Sequence, residues 1–290
     1  MTTPAAEIQA RTLAGYADAS KLRQEHDRDW VLGHVPGQPE TLLDLGSGIG
    51  QLLQAALDRF PTLRQAVGLE RSPHRIAEAA ERLRPYGDRV VLHAADLNAP
   101  EPVPYQPDVV TMTSVLHWLY PTEERIVSWV RGQLAPDGSF LLTTYHPVPD
   151  EHGLGGEDEI VADALTALGV VRRDDVPGLF AAGGVLPIAT RTRPADDLEG
   201  LLGRYFRVAE VHERDAVVTV DSAGQYGHFH AATFGDYYGR LVEPARRPEF
   251  FRAVGEAAWR RQEERGWVSH MPVWLWRLTP GDQRALSREE

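Results

Sequence analysis

Between Thr41 and Pro147, short apolar runs alternate with stretches of helical period. Thr41–Leu45 is apolar and runs into a glycine-rich turn. Gln51–Phe60 then has helical composition and stops at Pro61. Gln65–Leu69 is apolar again, with Glu70 at its end. Ser72-Pro73 caps a helix through Arg84, and Pro73 suits the first turn, where its missing N–H is no loss. Arg89–His93, Asp108–Ser114 and Ser139–Thr144 are three more apolar runs. Glu123–Leu134 is a helix, ended by Pro136-Asp137-Gly138. Short apolar strands alternating with helices predict a parallel sheet covered on both faces.

The flanks read differently. Residues 1–40 are polar and helical, with Tyr16 and Trp30 as large apolar members, and Pro36-Gly37-Gln38-Pro39 breaks the chain. After Pro147 the regularity fails. Residues 147–190 are rich in Gly, Asp and Pro, with a helix predicted over Glu159–Leu168. Leu198–Tyr205, Gln225–Leu241 and Glu249–Arg265 read as helices; Phe206–His212, Ala216–Val220 and Ser269–Leu278 read as strands. A long irregular stretch inside such a chain points to a lid or substrate-binding insertion. We read 1–290 as a single domain: a helical lid over 1–40, a cofactor-binding core over 41–147 and an acceptor side over 147–290.

Composition narrows the function. With 42% hydrophobic residues in 290, the chain buries a core without metal or disulfide staples. The absence of Cys excludes a disulfide, a Cys nucleophile and Cys-ligated zinc. A net charge of −12 repels phosphate backbones and anionic membranes, so neither nucleic acid nor membrane is an expected partner. Met1–Ala10 has neither a basic start nor an apolar core, so no signal peptide is read there. Apolar runs fall short of the ~18 residues that span a bilayer. A cytoplasmic protein is the expectation; a homo-oligomer stays open.

The chemistry begins at Leu42-Leu43-Asp44-Leu45-Gly46-Ser47-Gly48-Ile49-Gly50. Glycine at every second loop position lets the backbone approach a ligand where a Cβ would clash. The spacing is not that of a dinucleotide fingerprint, and no Lys follows as in a Walker A loop. Asp44, just before the glycines, repels a pyrophosphate and suits a ligand bearing an ammonium or another positive charge. Glu70, at the end of the second strand, is placed to accept both hydrogen bonds of a ribose diol. Asp96-Leu97 ends the third strand, where a carboxylate can meet an adenine amino group; Asp-Leu-Asn also reads as a turn. The acids together describe a site for a nucleoside with a positively charged substituent.

These features resemble the class I S-adenosylmethionine-dependent methyltransferases over roughly Thr41 to Pro147. The resemblance rests on the glycine loop after Asp44, on Glu70, on Asp96, on Thr113-Ser114-Val115-Leu116-His117-Trp118 and on Leu134-Ala135-Pro136-Asp137-Gly138. The Leu-His-Trp run is similar to that of trans-aconitate and related methyltransferases. Arg71 after Glu70 departs from the commoner pattern. The resemblance implies a doubly wound α/β Rossmann-like fold with seven strands, the last antiparallel. It implies S-adenosylmethionine as cofactor, held by Tyr16, Asp44, Gly46, Ser47, Gly48, Gly50, Glu70, Arg71, Asp96, Leu97, Ser114 and His117. It implies methyl transfer to a small organic acceptor. The GC-rich character of the chain, with 29 Arg and one Lys, associates it with specialised metabolism.

On the acceptor side, His146 follows the fifth strand and His117 the fourth. Both are candidate bases, and both also read as loop or cofactor-contact residues. Trp118, Phe229, Phe234 and Tyr237 are candidate acceptor contacts, although the aromatic set at helical spacing reads equally as core. His228 and His230 would share one side of a strand and could chelate a metal, yet no acidic companion is visible, and no metal is expected in the chemistry. Two other classes stay open: a methyltransferase fold turned to cyclisation, and a methyltransferase of RNA or protein, the latter disfavoured by charge and by Thr113-Ser114-Val115-Leu116 in place of an Asn-Pro-Pro-Tyr motif.

Overall fold

A computed structural model describes residues 25–281, and it divides into two compact units. The first comprises His26–His146, Thr192–Arg214 and 273–281; the second comprises Pro147–Arg191 and Asp215–Pro272. The division at Pro147 falls where the strand–helix alternation ends. Tyr16 and most of the expected helical lid lie outside the described residues.

The first unit holds the expected alternation: α1 (Glu25–Gly33), β1 (Thr41–Leu45), α2 (Gln51–Arg59), β2 (Gln65–Glu70), α3 (Pro73–Leu83), β3 (Val90–Ala94), β4 (Val109–Thr113), α4 (Glu123–Gln133) and β5 (Ser139–Tyr145). Further on come α5 (Glu157–Ala167), α6 (Val176–Ala182), α7 (Ile188–Arg191), α8 (Ala195–Gly203), β6 (Phe206–Val218), α9 (Ala223–Tyr238), α10 (Arg247–Arg265) and β7 (Ser269–Pro280). Among the described residues seven strands form one sheet in the order β3-β2-β1-β4-β5-β7-β6. β1 pairs in parallel with β2 and β4, β2 with β3, and β4 with β5. β7 is antiparallel to β5, with Phe140 opposite Leu278 and Tyr145 opposite Val273. This is the seven-stranded Rossmann-like α/β fold expected, last strand included.

The period-2 alternation explains why both faces are apolar. Leu42, Val109, Leu141 and Leu275 pack on one face with Val31 and Leu32 of α1 and Leu52, Leu53, Ala56 and Leu57 of α2. Leu43, Val110, Phe140, Leu142 and Trp276 point the other way, onto Ile126, Val127 and Val130 of α4 and Leu198, Leu201 and Leu202 of α8. Ser72 caps α3 as expected, its Oγ accepting from the Arg75 N–H, with Pro73 in the first turn.

One expectation changes. The two strands read at 206–212 and 216–220 are a single strand, β6, of 13 residues. The strand continues through Glu213-Arg214-Asp215: Glu213 and Asp215 are exposed, which is ordinary on an edge strand and discourages pairing with other chains, while Arg214 between them pairs with buried Asp27.

In the second unit, α9 and α10 approach so closely that a Cβ on Gly227 would meet the Phe251 carbonyl oxygen at 2.6 Å. Arg261 of α10 donates to Glu159 (2.7 Å) and Asp163 (2.7 Å) of α5. Asp158 is wholly buried. Its carboxylate accepts the N–H groups of Ile188 and Ala189 and the Tyr238 hydroxyl.

Candidate active site

The parallel strands align their carboxyl ends. Asp44 stands opposite Gly68 on one side and Thr111 on the other, and Glu70 stands opposite Ala94. Open α/β sheets bind ligands at this edge, and most of the predicted residues meet here.

Past β1 the chain turns through Gly46 (φ 73°) and Gly48 (φ 54°), in the left-handed region that an L side chain resists. At Gly46 a Cβ would also collide with Val115 Cγ2, at 2.5 Å. At Gly48 it would meet nothing within 4 Å, so the backbone there faces open space. Gly50 ends the loop and caps α2. Ser47 Oγ is buried and has no hydrogen-bond partner among the described residues.

Glu70 binds the loop from the next strand. One carboxylate oxygen accepts the Gly48 N–H (3.1 Å) and the other the Ser72 N–H (2.9 Å). A carboxylate has about four acceptor positions, so about two remain for a diol. Asp44 is 3% exposed and accepts the Thr111 hydroxyl at 2.8 Å. Burial pushes its carboxyl up to about 7, the Thr111 bond works against this, and the Glu70 charge adds to it. A cation arriving beside Asp44 would reverse that penalty. Asp96 is exposed. It accepts the backbone and side-chain N–H groups of Asn98, which hold its carboxyl below the ordinary range, helped by the Arg71 charge. The turn reading of Asp-Leu-Asn is therefore correct, and it leaves the carboxylate at the sheet edge. Leu97 is buried in the core behind it.

Ser114 follows β4 at φ 60°. Its N–H donates to Thr143 Oγ1 (3.1 Å), and its hydroxyl lies 2.7 Å from that of Tyr145. The Tyr145 hydroxyl donates to Asp27 of α1 at 3.0 Å. Asp27 also pairs with Arg214, whose guanidinium lies 4.6 Å from the Trp30 ring centre. His117 and Trp118 stand side by side in the short turn Leu116–Leu119, ring centres 4.9 Å apart. His146 follows β5. Its Nε2 lies 2.8 Å from Thr144 Oγ1, which also accepts the Trp276 indole N–H (2.9 Å), and its ring lies 5.0 Å from Trp274. Burial lowers His146 to about 4. It is therefore neutral near pH 7 and only a weak base.

The remaining candidates belong to the second unit. Phe229 and Phe234 are buried in an aromatic cluster with Tyr226, His230 and Tyr238, which agrees with the core reading. Tyr237 is half-buried; its hydroxyl donates to the Leu186 carbonyl and its ring faces Arg191. His228 and His230 sit on helix α9, not on a strand, so their side chains diverge: His228 is exposed and His230 buried. The chelating pair read from their spacing does not form.

Sequence reasoning missed Thr111, Asp27, Tyr145 and Arg214. For Thr111, a hydroxyl inside the apolar run Val109–Thr113 was the available signal. Asp27 and Tyr145 lie 118 positions apart, beyond any local pattern.

Residues 43–140 match the family described as a methyltransferase domain. A trans-aconitate 2-methyltransferase from Streptomyces avermitilis is 34% identical over 111 residues, covering 37% of this chain and 40% of that protein. The chain thus matches about two fifths of its relative's length, and the match lies in a minority of its own. A methyltransferase from Geobacter sulfurreducens, solved with S-adenosylhomocysteine, superposes with a TM-score of 0.54 at 16% identity, over 93% of this chain and 98% of that one. The cyclase SpnF superposes with a TM-score of 0.55 at 17% identity, over 89% and 81%. At such identities these two likenesses establish the fold alone.

Proposed function

We propose, on the premise that residues 43–140 make this chain a member of the class I S-adenosylmethionine-dependent methyltransferases, that it transfers the methyl group of S-adenosylmethionine to a small organic acceptor, a specialised metabolite. The observation that carries the reading is the joint placement of buried Asp44, the open backbone at Gly48 and the half-used Glu70 carboxylate. A buried carboxylate raised to about 7 is built for a positive partner. It fits the amino acid end of the cofactor, and Glu70 fits its ribose. Asp96 and Leu97 would flank the adenine. The relatives named for trans-aconitate support a small acceptor. A cytoplasmic location belongs to the same reading; among the described residues no helix is long and apolar enough to cross a membrane.

When bound, the cofactor supplies an activated sulfonium methyl. The chain supplies proximity and orientation. The glycine loop and Glu70 fix the nucleoside, and Asp44 holds the charged end. Ser114, His117 and Trp118 line the exit of β4, where apolar neighbours limit water as the positive charge is lost. His146 is the candidate to take a proton from the acceptor. Its low basicity limits it to an acceptor whose nucleophile already ionises readily.

Calorimetry tests the reading. Wild-type protein should bind S-adenosylmethionine one to one. Glu70→Ala should weaken binding at least about tenfold, because each hydrogen bond to a carboxylate is worth about 1.5–3 kcal/mol. Unchanged affinity would remove Glu70 from the site. Release of S-adenosylhomocysteine with an acceptor separates transfer from cyclisation or from binding alone.

A further inference from the structure

Away from the methyl-transfer edge, two imidazoles face one carboxylate oxygen. His34 follows α1; Glu210 and His212 lie two apart on edge strand β6 and share a face. Glu210 Oε2 is 3.0 Å from His212 Nε2 and 3.9 Å from His34 Nδ1. The two rings lie 3.9 Å apart, tilted by 34°. One potential ligand atom from each residue lies within 4.8 Å of the others. The second oxygen, Oε1, is taken by Arg277 on β7. Arg277 thus orients the carboxylate and leaves Oε2 turned toward both rings.

We infer that His34, Glu210 and His212 form a divalent transition-metal site, best suited to Zn²⁺ with water as fourth ligand. In a tetrahedral zinc site with bonds near 2.0–2.1 Å, neighbouring ligand atoms stand about 3.3–3.4 Å apart. The 3.0 and 3.9 Å contacts to Glu210 lie on either side of that separation and the third pair lies within 4.8 Å, so ligation requires the two rings to rotate apart around the shared carboxylate oxygen. Two imidazoles with one carboxylate favour zinc over Mg²⁺ or Ca²⁺, which prefer oxygen. Side-chain exposures of 25%, 40% and 36% for His34, Glu210 and His212 leave an entry path. An ordered partner behind a metal ligand is a common feature of such sites, and Arg277 fills that place.

The ion would act as a clamp. Arg277, the partner of Glu210, stands opposite Leu141 near the amino end of β5, whereas His146 follows its carboxyl end, so the ion would sit toward the other edge of the sheet from the methyl-transfer site. Instead it would join the end of α1 to β6, two elements already tied by Asp27–Arg214 and by Arg214 over Trp30. Metal binding to the folded form alone raises stability by mass action.

The test uses the full chain stripped with a chelator and titrated with ZnCl₂ by calorimetry. CoCl₂ serves as an absorbing substitute. One ion should bind per chain with Kd below about 100 μM, Zn²⁺ should raise the melting temperature, and Co²⁺ should show a tetrahedral visible band. His34→Ala and His212→Ala should each weaken binding more than about tenfold, since even partners behind the ligands are worth about 10–100-fold. Both should also abolish the thermal shift and the band. Both residues are partly exposed, and unchanged S-adenosylmethionine affinity would report an intact fold. No stoichiometric binding, or equal binding by wild type and both variants, would overturn the site.

Discussion

The Tyr145 hydroxyl donates to the Asp27 carboxylate at 3.0 Å while lying 2.7 Å from the Ser114 hydroxyl. Because Tyr145 gives its proton to Asp27, Ser114 must be the donor in the second bond. A chain of polar groups therefore runs from the end of β4, through the end of β5, to α1, and Arg214 closes it by pairing with Asp27. Asp27 is 3% exposed, so these partners stand in for the water its carboxylate has lost. Tyr145→Phe keeps the ring and deletes the hydroxyl. Loss of a hydrogen bond to a buried carboxylate should cost about 1.5–3 kcal/mol. Chemical denaturation should show a lower midpoint with an unchanged slope. Wild-type stability would show that Arg214 alone satisfies Asp27.

The residues that were legible in the sequence share one property: local grammar places them. Asp44, the glycines and Glu70 sit where a strand ends and a helix begins, and the strand–helix alternation alone brings them to one edge. Asp27, Tyr145 and Arg214 meet only because α1 and β6 both reach that neighbourhood, and no period in the chain encodes it. The pair His228 and His230 failed for a different reason. A spacing of two means one face on a strand but nearly opposite faces on a helix, and the aromatic run around them belongs to α9. His34, Glu210 and His212 needed the same long-range step: Glu210 and His212 were already two apart on a predicted strand, but their companion lies far upstream.

Asp44 gives a pH signature to cofactor binding. Its folded carboxyl is raised from 3.8 to about 7 by burial. A ligand bearing an ammonium binds the ionised form better, so its arrival lowers that value and releases a proton. Affinity for S-adenosylmethionine should therefore rise as pH increases from about 6 to 8 and level off above. Calorimetry near pH 7, in buffers of different ionisation enthalpy, should show fractional proton release. Asp44→Asn should bind weakly with a flat profile over this range. A wild-type affinity that falls with rising pH would contradict the assignment.

Gly227 is required by packing. Its Cα faces the backbone of α10, where a Cβ would meet the Phe251 carbonyl oxygen at 2.6 Å. A backbone atom cannot swing aside as a side-chain tip does, so Gly227→Ala must push α9 from α10. Forced overpacking costs about 1–3 kcal/mol, outweighing the gain of about 0.5–1 kcal/mol that alanine brings to a helix interior. The variant should melt earlier than wild type. A higher melting temperature would mean that the helices separate without loss.

His146 links acid stability to the chemistry at β5. Burial lowers its ring from 6.5 to about 4 in the folded protein. The unfolded chain therefore binds this proton first as pH falls, and folded stability should decline between about 6.5 and 4. His146→Gln keeps an acceptor for the Thr144 hydroxyl and removes the titration. Its denaturation midpoint should be flatter over the same window, which a pH series of urea melts would read. The same variant probes catalysis. If His146 takes the acceptor's proton, turnover should fall in His146→Gln, and high pH should partly restore it as the acceptor ionises unaided, with S-adenosylmethionine affinity within a few-fold of wild type. Because the wild-type ring is already neutral above about pH 5, its own ionisation should leave no step in the wild-type rate between pH 6 and 9. A variant with full turnover at every pH would reduce His146 to a packing partner of Trp274, and any base would have to come from His117 or from the acceptor itself.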